Sequence, residues 1–428
     1  MKKLLLLPVL LTVSLLAQTF NVSTTPELRT ALINAAQNGE DDTIVLADGT
    51  YKTTDDGQGT FTITELDSRM LTLRGTSSIS TILSGEGLNT ILRHSSVDHK
   101  SVLLLEELSF VNGYNEIDRG SGIVTNSILK VNDCNFTNNY AKEGGGAIYS
   151  SHYTSDTNYK QFLTRTIFKN NSSWIGYGGG VWIRSTAEIN SCQFIENSGY
   201  QGGALGIDNR SLIYNSVFSK NTATIGGAIS IAFGSNSSSI FNNIFYENNN
   251  SVYLRSGYDA KVFNNVFKNN ANYDIEIGTE LPYITHNFID TDKIIGDYVS
   301  FENIFGSTDL GFLDEENNDF RLTSDSSLID LGCIDYFTDL NASAEVIING
   351  TIVSSAYALL LPNTDIQGNA RLSGGNIDIG SYEFSTNRPT INSLFFTGIA
   401  REFSTLTFSV DYTLSNERTI NTIKTTLL

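Results

Sequence analysis

Ile189-Asn190-Ser191-Cys192-Gln193-Phe194-Ile195-Glu196-Asn197 is followed after a short link by Gly202-Gly203-Ala204-Leu205-Gly206-Ile207. The same grammar returns in Ile213-Tyr214-Asn215-Ser216-Val217-Phe218-Ser219-Lys220-Asn221 and Gly226-Gly227-Ala228-Ile229-Ser230-Ile231. Working outward, the Phe/Asn pair recurs as Phe136/Asn139, Phe168/Asn171, Phe245/Asn248 and Phe267/Asn270, and the glycine pair as Gly145-Gly146 and Gly179-Gly180. An aliphatic residue stands five positions before each phenylalanine (Val131, Leu163, Ile240, Val262), and a third column two positions before it holds Cys134, Thr166, Asn243 and Asn265. A unit of 20 to 50 residues that repeats cannot bury its own apolar face, so it stacks on its neighbours.

The phenylalanines from Phe110 to Phe288 are spaced by 21 to 32 residues, and the runs around them alternate in the manner of strands, without helical periodicity. These features predict an all-β chain: a right-handed parallel β-helix, a solenoid of the pectate-lyase type, in which each strand pairs with its counterpart about 4.8 Å away. Asparagine at the bends is expected to adopt left-handed backbone angles, and the glycines to allow close approach. The Phe, Asn and Gly-Gly columns read as scaffold.

Thr24-Thr25-Pro26-Glu27 has the form of a helix start with a capping box. Leu28, Leu32, Ile33 and Ala36 then share a face and Gly39 ends the helix, predicting a plug for the open end of the stack. Before it, Met1 to Ala17 has two lysines and an apolar run, the layout of a cleaved export signal. The expected organisation is a signal over 1–17, a capped β-helix over 18–300, a small β-rich module over 301–384, and the start of a further β segment over 385–428, including Leu406 to Val410. An early stop at Leu428 fits that last, short remainder.

The net charge of −19 disfavours nucleic acid, whose phosphates such a chain repels. Outside the leader no apolar run reaches membrane-spanning length, and a monomer is expected. Cys134 and Cys192 share a column but lie two coils apart, about 10 Å, which is too far for a disulfide, so both should be buried thiols. No cofactor is required by the pattern. Ca2+ is the metal that the acidic runs Asp41-Asp42, Asp55-Asp56 and Asp314-Glu315-Glu316 could accept through oxygen ligands.

The segments Asp319-Phe320-Arg321-Leu322, Ser326 to Gly332, Asp365 to Arg371 and Ile377 to Glu383 resemble the choice-of-anchor Q domain of bacterial surface β-helix proteins, with Ser327 and Ala370 where that family carries proline. The FxxN and GGAI units are similar to those of polymorphic outer-membrane proteins and related adhesins. These resemblances imply an exported, surface-placed protein and no particular reaction. Within the module, Asp330, Asp378 and Glu383 are expected to pair with Arg321 and Arg371.

Four aromatics, Tyr140, Trp174, Tyr177 and Tyr200, fall between the Asn and Gly-Gly columns of successive coils. Lined along one edge they would suit sugar rings, whose C–H faces pack on aromatic faces. For catalysis, Arg184, Asp208 and Arg210, with Lys220 near, form the candidate cluster for a polysaccharide lyase or hydrolase acting on acidic polysaccharide, which needs a base and a cation or paired carboxylates. The residues thus support an adhesin or glycan-binding stalk that meets extracellular glycan or a host or neighbouring-cell surface, with the enzyme as the alternative. An autotransporter passenger would need a membrane barrel after it. A smooth face of Ser, Thr, Asn and aromatics favours binding; clustered charges beside a groove favour the enzyme.

Overall fold

The computed structural model describes residues 17–384, apart from 67, 153–159, 233–237, 257–258, 291–292, 307–308, 335–344, 349–350, 355–360 and 373–375, together with strands Thr390–Thr397 and Thr407–Thr413. The expected leader, except its last residue, lies outside the described residues.

Among the described residues three long sheets run the length of the molecule, all with parallel pairing: sheet 1 with twelve strands, sheet 2 with eleven and sheet 3 with ten. Sheet 4, with five short strands, lies between sheets 2 and 3 in five consecutive coils. Chain order within a coil is sheet 1, sheet 2, sheet 4, sheet 3, as in Gln161–Thr164, Ile167–Lys169, Ser172–Ser173 and Val181–Ile183. This is the parallel β-helix predicted by the repeats, with the right-handed sense that parallel crossovers adopt.

The columns become ladders. Phe110, Phe136, Phe168, Phe194, Phe218, Phe245 and Phe267 stack inside the coil with centroids 4.7 to 5.1 Å apart. Their spacing is the strand spacing, so one ring per coil fills the core continuously. The signature asparagines are buried, and they are not the left-handed residues. That role falls to the residue before each one, such as Asn138, Asn170, Glu196 and Lys220 (φ 55–58°). The asparagine side chain instead turns inward and binds its neighbours. Asn171 Nδ2 donates to Asn197 Oδ1 at 3.0 Å and to the Phe136 carbonyl at 3.0 Å, while its Oδ1 accepts from the backbone and side chain of Asn139. The third column forms a second ladder at the bend between sheets 1 and 2. It begins with Thr166 Oγ1 and Ser216 Oγ accepting from the Cys134 and Cys192 amides, and continues as Asn243, Asn265, Asn287 and Asn303. Backbone groups at both bends are thereby satisfied without water.

A Gly pair serves two needs. Gly202 takes φ +69°, and a Cβ on Gly203 would lie 2.2 Å from the Gly227 carbonyl, so the first glycine turns the chain and the second lets coils stack. In the preceding coil Gly178 and Gly179 fill these two columns, one place ahead of the pair marked in the sequence.

The helix Thr25–Asn38 plugs the N-terminal end, with its capping box formed and Gly39 at φ +71°. It buries Leu28, Ala31, Leu32 and Ala35, whereas Ile33 is 54% exposed. Arg29 is buried too, paired with Asp56 at 2.6 Å and capping the carbonyls of Thr53, Gly59 and Thr60.

Within the segment expected as a small β-rich module, described residues pack as a strap on the solenoid. Phe320, Leu322, Leu328, Ile379 and Tyr382 share one apolar cluster with Val217, Ile244, Val266 and Phe288 on the outside of sheet 2. Left-handed asparagines of the solenoid dock it: Asn215 donates to the Thr364 carbonyl at 2.8 Å, and Asn264 exchanges two 2.8 Å bonds with the Cys333 backbone. Inside the strap the fully buried Arg371 pairs with Glu383 at 2.9 Å. With its amide turned to face the guanidinium, Asn242 accepts from Arg371 Nε at 3.2 Å and Nη2 at 3.0 Å. Arg321 pairs with Asp319 rather than with the three expected acids, and Asp378 accepts from the Asp330 amide at 2.8 Å. Thr390–Thr397 and Thr407–Thr413 pair antiparallel.

Candidate functional site

Two neighbouring outer faces carry the residues singled out by the sequence. On sheet 4, Tyr114, Tyr140, Ser172, Ser198 and Thr222 stand in register, one per coil. Position alternates along a strand, so the buried Ala141, Ser173 and Ala223 face in and the residues on either side face out. Two places beyond the first outward position stand Glu116, Lys142, Trp174, Tyr200 and Thr224. Trp174 is 73% exposed and Tyr200 48%. Tyr114 and Tyr140 stack at 5.3 Å and 24°. Hydrogen bonding to Glu116 raises the Tyr114 phenol above its ordinary pKa; burial, then Glu116, raises that of Tyr140. Three of the four expected aromatics therefore share this face.

Tyr177 does not. It is in register with Gly144 and Gln201 and folds over toward sheet 3, where a Cβ on Gly206 would meet its own at 2.7 Å. There it packs on Trp182 with centroids 5.3 Å apart, and burial raises its phenol. Trp182 also meets Tyr149 at 5.1 Å, and Arg119 lies over both rings, 5.1 and 5.4 Å from their centroids. Both rings are themselves buried.

Asp208 is buried below this cluster. Its Oδ1 accepts from Trp182 Nε1 at 3.1 Å and its Oδ2 from Arg184 Nε at 3.2 Å. Burial outweighs those bonds and raises its carboxyl above the usual aspartate range. Arg184 and Asp208 thus come together, while Arg210 and Lys220 stand elsewhere. Arg210 lies at the entry to sheet 1, where burial lowers the Lys261 ammonium and the Arg210 charge adds to the effect. Lys220 reaches Glu247 at 3.8 Å and the Glu316 carbonyl at 3.2 Å, at the strap.

The acidic runs serve the scaffold. Asp42 accepts from the Gln18 amide and Asn38, Asp55 from Thr25, Asp56 from Arg29, and Asp314 from the Asn317 amide. Among the described residues no three His, Cys, Asp or Glu converge as a metal site. Cys134, Cys192 and Cys333 are buried free thiols, the first two pushed by burial up to about 12.

Sequence reading missed Tyr114, because its coil has Gly113 where the others have asparagine. It also missed Arg119, Tyr149 and Trp182, which are joined only by coil register.

A family model described as the Chlamydia polymorphic membrane protein repeat matches residues 133–151, a stretch shorter than one coil. No curated protein matches the chain. Among solved structures it is similar to a PL6 family polysaccharide lyase from Pseudopedobacter saltans, with TM-score 0.38 and 15% identity, covering 64% of each chain and so less than two thirds of that enzyme. It is also similar to a mannuronic acid specific polysaccharide family 6 lyase from human gut microbiota, with TM-score 0.35 and 11% identity, over 70% of this chain and 84% of that one. Scores at this level carry no functional argument. What stands is a repeat-built parallel β-helix, resting on its own three parallel sheets.

Proposed function

We propose that this chain is an exported β-helical stalk, placed at the cell surface or secreted, that binds extracellular glycan through the outer face of sheet 4 and acts as a monomeric adhesin rather than an enzyme. The observation that carries the reading is that face's composition. Four consecutive coils each present one outward aromatic, Tyr114, Tyr140, Trp174 and Tyr200, among Ser172, Ser198, Thr222 and Thr224. Flat apolar rings beside hydroxyls match the two kinds of surface on a sugar. The choice-of-anchor Q resemblance of the strap and the adhesin-like repeats support surface placement.

The alternative, a lyase or hydrolase on acidic polysaccharide, has the Arg184–Asp208 pair in its favour. Against it, both Asp208 oxygens already accept hydrogen bonds, and Arg210 stands apart. The test is incubation of the full chain with neutral and acidic polysaccharides in the presence of Ca2+, following new chain ends and protein retained on the polymer. Retention without cleavage, weakened in Trp174→Ala, is the expected result. Depolymerisation that disappears in Asp208→Asn or Arg184→Ala would replace this reading with the enzyme.

A further inference from the structure

We infer that the antiparallel strand pair Thr390–Thr397 and Thr407–Thr413 is the cap of the solenoid's C-terminal end, lying over the last rung of the Phe ladder. The two ends of the stack are unlike. At the N-terminal end the helix Thr25–Asn38 buries Leu28, Ala31, Leu32 and Ala35. At the other end the inward column of sheet 2 runs Phe245, Phe267, Ile289 and Phe305 in register. The seven ladder phenylalanines from Phe110 to Phe267 are fully buried, whereas Phe305 is 50% exposed. Ile294 and Tyr298, in the same final part of the stack, are only partly buried against the core. Among the described residues Ile294–Ile295, Val299–Phe301 and Ile304–Phe305 are also the outermost strands of sheets 3, 1 and 2. A stack that stops here ends in apolar surface and unpaired strand edges, and both call for a covering element.

The strand pair has the complementary need. Its register joins Ile391 to Tyr412, Leu394 to Val410 and Phe396 to Phe408. These apolar pairs alternate with Ser393 to Asp411, Phe395 to Ser409 and Thr397 to Thr407. Along Thr407–Thr413 the alternation is strict, and the register shift between Ile391 and Ser393 keeps Ile391 in the apolar set. Alternate positions belong to opposite sides of a strand, so one side of the pair is apolar by register. Two strands have no core in which to bury such a side, and an isolated hairpin is marginal in water.

Chain length selects the place. The Gly380 amide donates to the Asn264 carbonyl at 2.9 Å, which fixes this part of the strap at the coil of Val266–Lys268. The Phe384 amide is held by Asp378 Oδ2 at 2.6 Å. From Val266–Lys268 the strand Ile304–Phe305 is two coils on, about 10 Å along the axis. Residues 385–389 join Phe384 to Thr390, so Thr390 falls within about 20 Å of Phe384. The last coil is inside that reach. The first strand of sheet 2 is eight steps away in the other direction, about 40 Å, and that end already has its helix.

The experiment uses the full chain with a photoactivatable benzophenone side chain installed at position 305. Irradiation should attach it to residues 390–413 of the same chain and leave the product monomeric. Attachment to a second chain would assign the cover to another copy and overturn the cap, as would attachment nowhere in 390–413. In a second measurement, Val410→Asp places a charge among the apolar pairs. Amides of Val299–Phe301 and Ile304–Phe305 should then exchange at least about tenfold faster, with Val217–Ser219 unchanged. A strand pair that fails to form in that variant uncovers the end equally and should give the same exchange. Thr407→Asp, at a polar pair, should leave both regions at the parent's rates. End-coil exchange that is the same in Val410→Asp and Thr407→Asp would overturn the cap.

Discussion

The coils from Leu103 to Asn270 and the strap from Leu310 to Glu383 are packed on one another, yet they are held by opposite means. In the coils each interaction is a rung repeated at every turn: Phe on Phe, amide on amide, glycine under carbonyl. Where a rung is missing the next one serves. Gly113 stands in the asparagine column without a side chain, and its amide still bonds Asn139 Oδ1 at 2.8 Å. The strap has no repeats. Arg371 holds Glu383, the Gly380 carbonyl and Asn242, and Asp365 alone accepts from the amides of Gln367, Asn369 and Glu383. Periodic packing spreads its energy over equivalent residues, whereas the strap concentrates its own in a few side chains.

The comparison can be broken first in the ladder. Asn197→Ala removes a rung from the middle, taking away the partner of the Phe168 carbonyl, of the Asn171 backbone amide and of one of the two Asn171 side-chain N–H groups, the other still bonding the Phe136 carbonyl. Each buried orphan costs about 1–3 kcal/mol, so the loss should be on the order of 5 kcal/mol. It should appear as a global drop in denaturant midpoint, because stacked coils unfold with their neighbours. Arg371→Ala leaves Glu383 buried and unpaired, at a cost of about 3–5 kcal/mol. Hydrogen exchange should show that loss confined to residues 310–384, with amides of Gln193–Ile195 and Val217–Ser219 still protected. A collapse of both regions would show that the strap is structural for the coils and end the contrast.

Acid sharpens it. Burial pushes the His94 imidazole down from 6.5 to about 4, with Nδ1 bonded to Thr125 and Ser127 inside the coil. Below pH 6.5 the unfolded chain takes up a proton that the folded chain refuses. Coil stability should therefore fall between about pH 6.5 and pH 4, by at most roughly 3 kcal/mol. Burial raises the Glu383 carboxyl instead, so protonation favours the folded strap as pH falls. Melts at pH 7 and 4.5 should show a smaller loss in His94→Gln than in the parent chain. The smallest effect is that of Trp174→Ala, which touches neither region's core and should change stability by less than about 0.5 kcal/mol while weakening retention on glycan.

Most of the solenoid was legible because its period is short and each column has one chemical need. The asparagine column was seen, but its role was misplaced by one residue: Asn197 does not turn the chain, Glu196 does. The strap's docking surface was also written in the chain. The outward position of sheet 2 reads Asn135, Ile167 and Gln193 in the earlier coils, then Val217, Ile244, Val266 and Phe288 where the strap lies. That change marks a covered face, yet it becomes readable only once the inward column is fixed by the Phe ladder. Trp174 and Tyr200 could be placed on one edge from spacing, whereas Tyr177 could not, since Gly206 one coil away makes the room into which it folds.

The sequence by itself determined that this chain coils, where the bends fall to within a residue, and that Cys134 and Cys192 stay apart, because these follow from local spacing repeated many times. Only the tertiary structure decided that Arg184 meets Asp208 while Arg210 does not, that the stacked pair Tyr114 and Tyr140 is continued by Ser172, and that Phe320, Leu328, Ile379 and Tyr382 lie back over sheet 2. Those facts depend on which residues of different coils share a register. Bend lengths vary from coil to coil, so sequence separation alone does not fix that register until the strands are paired.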